Sequence, residues 1–177
     1  LTRYAAIPEK RAEIQKFADD EMRKHWSVRN GNLYFDGYKG GYSLATKRDY
    51  EDFELWADWR ILSITGDSGL YLRGAPQVQI WDVYNQWGIG SGALYNNQKN
   101  PSQPLAIADR PVGDWNRFHV IMRGEKVTVY LNGVLVVDNV TLENYWDRKQ
   151  PIFPVGQIEL QCHGDPIEWR NVFIKEL

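Results

Sequence analysis

DWNRFHVIMRGEKVTVYLNGVLVVDNV, residues 114–140, settles the fold class. Apolar and polar residues alternate through DWNRFHVIMRG and again through EKVTVYLNG, the period of a strand with one face in a core. Gly124-Glu125 joins these two strands. Asn132-Gly133 then turns the chain into a third, NGVLVVDNV, because an Asn-Gly pair readily takes the positive φ angles of a tight hairpin.

The same pattern extends in both directions. Upstream, EDFELWADWRIL (51–62) is a long strand with Phe53, Leu55, Ala57 and Trp59 on one face and Glu54, Trp56, Asp58 and Arg60 on the other. DSGLYLRG and QVQIWDV are two more strands, separated by Gly74-Ala75-Pro76. SLATK is a short one ending at Lys47, after the flexible GYKGGY. WSVRNGNLYFDG reads as a hairpin about Asn30-Gly31. A polar stretch from about residue 84 to 112 has little periodicity and is long enough to be a functional loop. Downstream, TLENYWDRKQPIFPV is a loop leading to GQIELQCHGDP (156–166), and IEWRNVFIKEL closes the chain as a strand.

Residues 9–25 alone have a helical pattern, with Ala12, Ile14, Phe17, Ala18 and Met22 approximating one face and Pro8 suited to the first turn. That segment carries no catalytic group. Ten to twelve short strands joined by hairpin turns predict an all-β, two-sheet antiparallel jelly-roll sandwich with a short N-terminal helix. The expected division is a helical extension over 1–25 and one sandwich domain over 26–177, without internal repeats.

Bulk properties narrow the function. A chain of 177 residues buries a core without staples, and the single Cys162 cannot form an intramolecular disulfide; it reads as a small buried hydrophobe. With 21 Lys plus Arg against 23 Asp plus Glu there is no basic stripe for nucleic acid. No apolar run reaches membrane-spanning length. No signal peptide is visible, and the start at Leu1 implies a processed leader or a trimmed chain. Aromatic residues make up 14% of the sequence, enough to fill a sandwich core and leave two or three rings for a ligand such as a sugar.

Within 156–171, Gln157, Glu159, Gln161 and His163 fall on one strand face, opposite Ile158, Leu160 and Cys162. An amide, a carboxylate, a second amide and an imidazole in a row form a candidate site. His163 precedes the Gly164-Asp165-Pro166 turn and so sits at a strand end, where acid or base work is expected. His25 reads instead as a helix C-terminal residue and His119 as a surface or packed one. Tyr71 and Arg73 share a face of one neighbouring strand; Gln77, Gln79 and Trp81 share a face of the next, with Asp82 just beyond. Arg73 and Lys47 are candidates to neutralise an oxyanion, although Arg73 and Asp82 also read as a structural ion pair. Nucleophile elbows, zinc-binding helices and phosphate loops are missing, and Ser68 in Gly66-Asp67-Ser68-Gly69 enters a strand, not a helix. Glu159 has no acidic partner on its own strand, which weakens ordinary two-carboxylate glycoside hydrolysis.

The segments GDSGLYLRGAPQVQIWD, GSGALYNNQKNP, PVGDWNRFHVIMRGEKVTVYLNGVLVVDN, LENYWDRKQPIFPVGQIELQCHGDP and IEWRNVFIKEL, in this order, resemble the 3-keto-disaccharide hydrolase family, formerly a domain of unknown function. The resemblance covers about residues 26–177. It implies a concanavalin A-like sandwich whose concave face holds a sugar, and an exported bacterial protein, periplasmic or secreted. It also implies cleavage of glycosides oxidised at C3 by elimination and hydration, sometimes with a divalent cation. Carried onto this chain, His163 is the base or acid and Glu159 its partner, and Arg73 with Lys47 stabilises negative charge. Gln79, Asp82, Tyr95, Gln161 and Tyr71 bind substrate and Trp81 offers a stacking face. The alternatives are a non-catalytic carbohydrate-binding module and an interaction domain of a surface assembly.

Overall fold

Alternating burial along the strands produces two antiparallel sheets with one core between them. The computed structural model describes residues 8–84 and 88–177; Ala12, assigned above to the helix face, has a side chain outside the described residues. The elements are α1 (Pro8–His25), β1 (Trp26–Arg29), β2 (Asn32–Asp36), β3 (Leu44–Ala45), β4 (Phe53–Ile61), β5 (Asp67–Leu72), β6 (Ala75–Trp81), β7 (Asn116–Arg123), β8 (Lys126–Leu131), β9 (Val134–Thr141), β10 (Glu159–Leu160) and β11 (Pro166–Glu176). Seven strands form a large sheet in the order β1-β2-β11-β4-β7-β8-β9, and four form a small one, β3-β10-β5-β6.

The facing layers are those the alternation marks. Phe53, Leu55, Ala57 and Trp59 of β4 pair in register with Met122, Val120, Phe118 and Asn116 of β7, and the apolar members are buried. Across the sandwich they meet Leu70, Leu72, Val78, Ile80, Ile158 and Leu160 of the small sheet. The expected turns form as read: Asn30-Gly31 and Asn132-Gly133 carry positive φ at both positions, the requirement of the two-residue turns that suit twisted strands.

Three local expectations change. Gly74-Ala75-Pro76 is not a connector, because β6 already begins at Ala75 and the turn is Arg73-Gly74, both at positive φ. SLATK supplies only the two residues of β3. The strand read through Gln157–His163 reduces to the two residues of β10, flanked by irregular backbone bonds such as Gly74 N to Gln157 O (2.8 Å) and Gln161 N to Gly69 O (2.9 Å).

The long polar loop protects a sheet edge. Gly92 N donates to Gln79 O (2.7 Å) and Gln79 N to Ala93 O (2.9 Å), so the loop covers β6, whose free edge would otherwise invite pairing with another chain. Gly92 has φ +94°, and a Cβ there would stand 2.6 Å from Val136 Cγ2. Gly92→Ala is therefore expected to destabilise the fold by about 1–3 kcal/mol, read as a shift in the denaturation midpoint, since it adds backbone strain to a buried clash.

Candidate functional site

The outer face of the small sheet collects polar side chains in rows across its strands. Glu159 stands opposite Ala45 on one side and Tyr71 on the other. Next along, Gln161 flanks Gly69, which pairs with Gln79. At the end, Asp67 pairs with Trp81, and His163 Nδ1 lies 3.3 Å from Asp67 Oδ2. Gly69 leaves room for this arrangement: a Cβ on it would lie 3.0 Å from Gln77 Cδ and 3.2 Å from Gln161 Oε1.

An amide relay ties the rows together. Gln77 Nε2 donates to Gln79 Oε1, and Gln79 Nε2 donates to Asp67 Oδ1 (2.7 Å). Burial pushes the Asp67 carboxyl above its ordinary range, with the nearby His163 opposing that shift. Gln161 Nε2 donates to the Tyr71 hydroxyl at 3.4 Å.

Helix α1 closes this face. An edge-on contact between Phe17 and Tyr42 (centroids 5.5 Å apart) pins it to the segment around β3. Its last residue, His25, bonds Asp36 and stacks on Tyr38 (4.1 Å) rather than merely capping the helix. Between α1 and the sheet lies a cavity of about 630 Å³. Ile14, Ala18 and Met22 form its helical wall, Tyr42 to Lys47 one side, and Tyr71, Gln157, Glu159 and Cys162 the sheet wall, with Trp146 also lining it. Trp146 is held there by its indole N–H, which donates to Gly74 O (2.8 Å).

Glu159 is the buried carboxyl of this cavity. It is 6% exposed, its Oε1 is buried without a hydrogen-bond partner, and burial raises its pKa to about 7. A carboxyl group so poised exchanges protons near neutrality. The Tyr71 phenol beside it is pushed up to about 12, first by burial and then by Glu159, and remains a donor.

The other sequence-derived candidates divide. Glu159, Tyr71 and Lys47 share the cavity, Lys47 exposed at its rim; Gln161 and Gln79 lie in the adjoining rows. His163 is at the far end of the face, its side chain 57% exposed. Arg73 is not in the site. The strand ends before it, its positive φ re-aims it, and its guanidinium donates to Glu51 O, Gly124 O and Asp52. It stands six residues beyond Asp67 along β5, roughly 20 Å from the imidazole end at the usual strand rise. Its ion-pair partner is Asp52, not Asp82. Asp82 is likewise structural: its carboxylate accepts the Thr65 and Tyr84 amides (2.7 and 3.0 Å), and the residue is buried away from the cavity. Trp81 is 3% exposed, packed edge-on with Tyr95 at 4.9 Å, so it presents no open stacking face. Cys162 packs against the core as read and also lines the cavity, since β10 ends at Leu160; burial lifts its thiol to about 11, so it stays unreactive.

Sequence reasoning missed Asp67 and the helical wall. Asp67 was legible as the third member of the Asp67, Gly69, Tyr71 alternation. Among the described residues no group of three His, Cys, Asp or Glu side chains is placed to hold a metal ion.

The two-sheet sandwich shares its fold with galectin-like proteins and carbohydrate-binding modules. More narrowly, residues 13–175 match the 3-keto-alpha-glucoside-1,2-lyase-like domain, and the chain belongs to that family. The match begins inside α1, earlier than the motifs at residue 26 onward. A solved protein from Parabacteroides distasonis, described as a candidate glycosyl hydrolase, is 31% identical with a TM-score of 0.70, covering 86% of this chain and 74% of that one. A second from the same organism is 23% identical with a TM-score of 0.68, covering 87% and 91%. Carbohydrate-binding module CBM66 from Bacillus subtilis shares the fold at 13% identity and a TM-score of 0.55, covering 86% and 91%. No curated protein matches the chain.

Proposed function

We propose that this domain cleaves glycosides already oxidised at C3, with the cavity under α1 as the sugar site and Glu159 as the base. The buried, unpartnered Glu159 carboxyl with its pKa near 7 carries the reading. A 3-keto group acidifies the C2 proton. Glu159 removes it, and the C–H electron pair becomes an enolate with charge on the C3 oxygen. The enolate collapses, a C1–C2 double bond forms, and the C1–O bond breaks toward the aglycone, whose oxygen takes up a proton. Water adding across C1–C2 then returns a free 3-keto sugar. Tyr71, held protonated, donates to an oxygen that gains charge, and Lys47 supplies positive charge at the rim. The route uses one base and needs no second carboxylate beside it.

A module without chemistry is the second reading, favoured by the fold shared with carbohydrate-binding module CBM66; Gln77, Gln79 and Gln161 are buried and bonded within the sheet and lie outside the cavity lining. One assay separates the two. In D₂O, 3-keto 4-nitrophenyl glucoside is expected to gain deuterium at C2 and release nitrophenol, while the unoxidised glucoside stays intact. Binding of both sugars with no exchange and no release contradicts the enzyme reading and leaves the module.

A further inference from the structure

The two walls of the cavity differ in chemistry. The sheet wall offers Glu159, Gln157 and Tyr71, whereas Ile14, Ala18 and Met22 of α1, spaced by four residues, place one apolar stripe across from them. The polar residues that α1 adds to the lining, Gln15 and Asp19, are bonded to each other (2.7 Å). A second sugar against that stripe would lose hydration at its hydroxyls and meet few partners there, the remaining amide and carboxylate atoms of Gln15 and Asp19, whereas an aromatic or hydrocarbon group buries apolar area on it.

We infer that α1 makes the site selective for glycosides with an apolar aglycone, a phenyl ring or similar group, over disaccharides. The sugar ring lies on the sheet wall, where acceptors and donors are, and the aglycone lies against Ile14, Ala18 and Met22. This inference rests on the cavity being the glycoside site proposed above, and it makes α1 part of that site.

Calorimetric binding of two glucosides to this chain, phenyl glucoside and a glucose disaccharide, tests it, alongside Ala18→Gln and the double variant Ile14→Gln/Ala18→Gln. Ala18→Gln removes no packed group, so it keeps the test valid if the double variant misfolds. The wild type is expected to bind the phenyl glucoside about tenfold more tightly, and the variants to reduce that ratio to about twofold, as expected when one hydrophobic contact is exchanged for an amide. Equal affinities in the wild type, no binding of either glucoside, or an unchanged ratio in the variants overturns the inference. The 3-keto forms of the same two glucosides separate this from the catalytic reading: a phenyl preference without aglycone release removes the lyase and keeps the apolar wall, and release without preference does the reverse.

Discussion

Glu159→Gln is expected to lower kcat/KM for 3-keto-glycosides by about 10²–10⁴-fold, the usual contribution of a positioned base, and at the same time to stabilise the folded protein above neutral pH. The sign follows from the raised pKa. Below the ordinary glutamate pKa of 4.5 the carboxyl is protonated in both the folded and unfolded chain, and burial costs nothing through ionisation. As pH rises from there to about 7, the unfolded chain releases the proton and the folded one holds it, so stability falls. Above that window the full cost applies, about 3 kcal/mol at 1.36 kcal/mol per pH unit. Glutamine is neutral throughout and lacks this slope. Denaturant unfolding at pH 5 and pH 8 reads it: the variant is expected to lose much less stability between the two than the wild type. The wild-type kcat/KM should rise through about pH 7 as Glu159 ionises. A variant that keeps its activity, or is the less stable protein at pH 8, contradicts the role given to this carboxyl.

Arg73→Ala is expected to cost about 3–5 kcal/mol of stability, because it removes the cationic partner of a buried network and strands the others. The guanidinium, 2% exposed, donates to Glu51 O (2.6 Å), Gly124 O (2.8 Å), Phe153 O (3.4 Å) and Asp52 Oδ1 (2.7 Å). It thereby binds the entry to β4, the β7–β8 hairpin and the loop before β10. Asp52 also accepts from Gly124 N (2.8 Å), so the loss spreads to the hairpin. The Tm should fall by roughly 10 °C, while the folded fraction at low temperature keeps its kcat/KM to within about threefold, the residue touching no reacting group. An unchanged Tm with activity lost would return the guanidinium to the site as an oxyanion stabiliser.

Which parts of this molecule could be read from sequence follows from local physics. Strands β4, β7 and β8 declare themselves by period-two burial and β9 by the Asn132-Gly133 turn that opens it, all local signals, and the row Gln157, Glu159, Gln161 follows from the same alternation. Arg73 could not be placed that way. One residue past the strand, a positive φ turns its side chain out of the series that contains Tyr71. Trp81 obeys the alternation, yet the Tyr95 segment packs over it from a loop with no periodic signal. The amphipathic pattern of α1 shows that Ile14 and Met22 face protein. It does not show that they face the chemistry of Glu159, since that pairing depends on how the helix docks on β3 and β10.

A crystal structure of the Glu159→Gln protein with a 3-keto phenyl glucoside left intact tests the central claim most directly. The sugar is expected between α1 and the small sheet, its C2 within about 3.5 Å of the residue 159 side chain, the distance of a reacting pair. A sugar bound over the seven-stranded sheet, or beside His163 with the cavity empty, would contradict it.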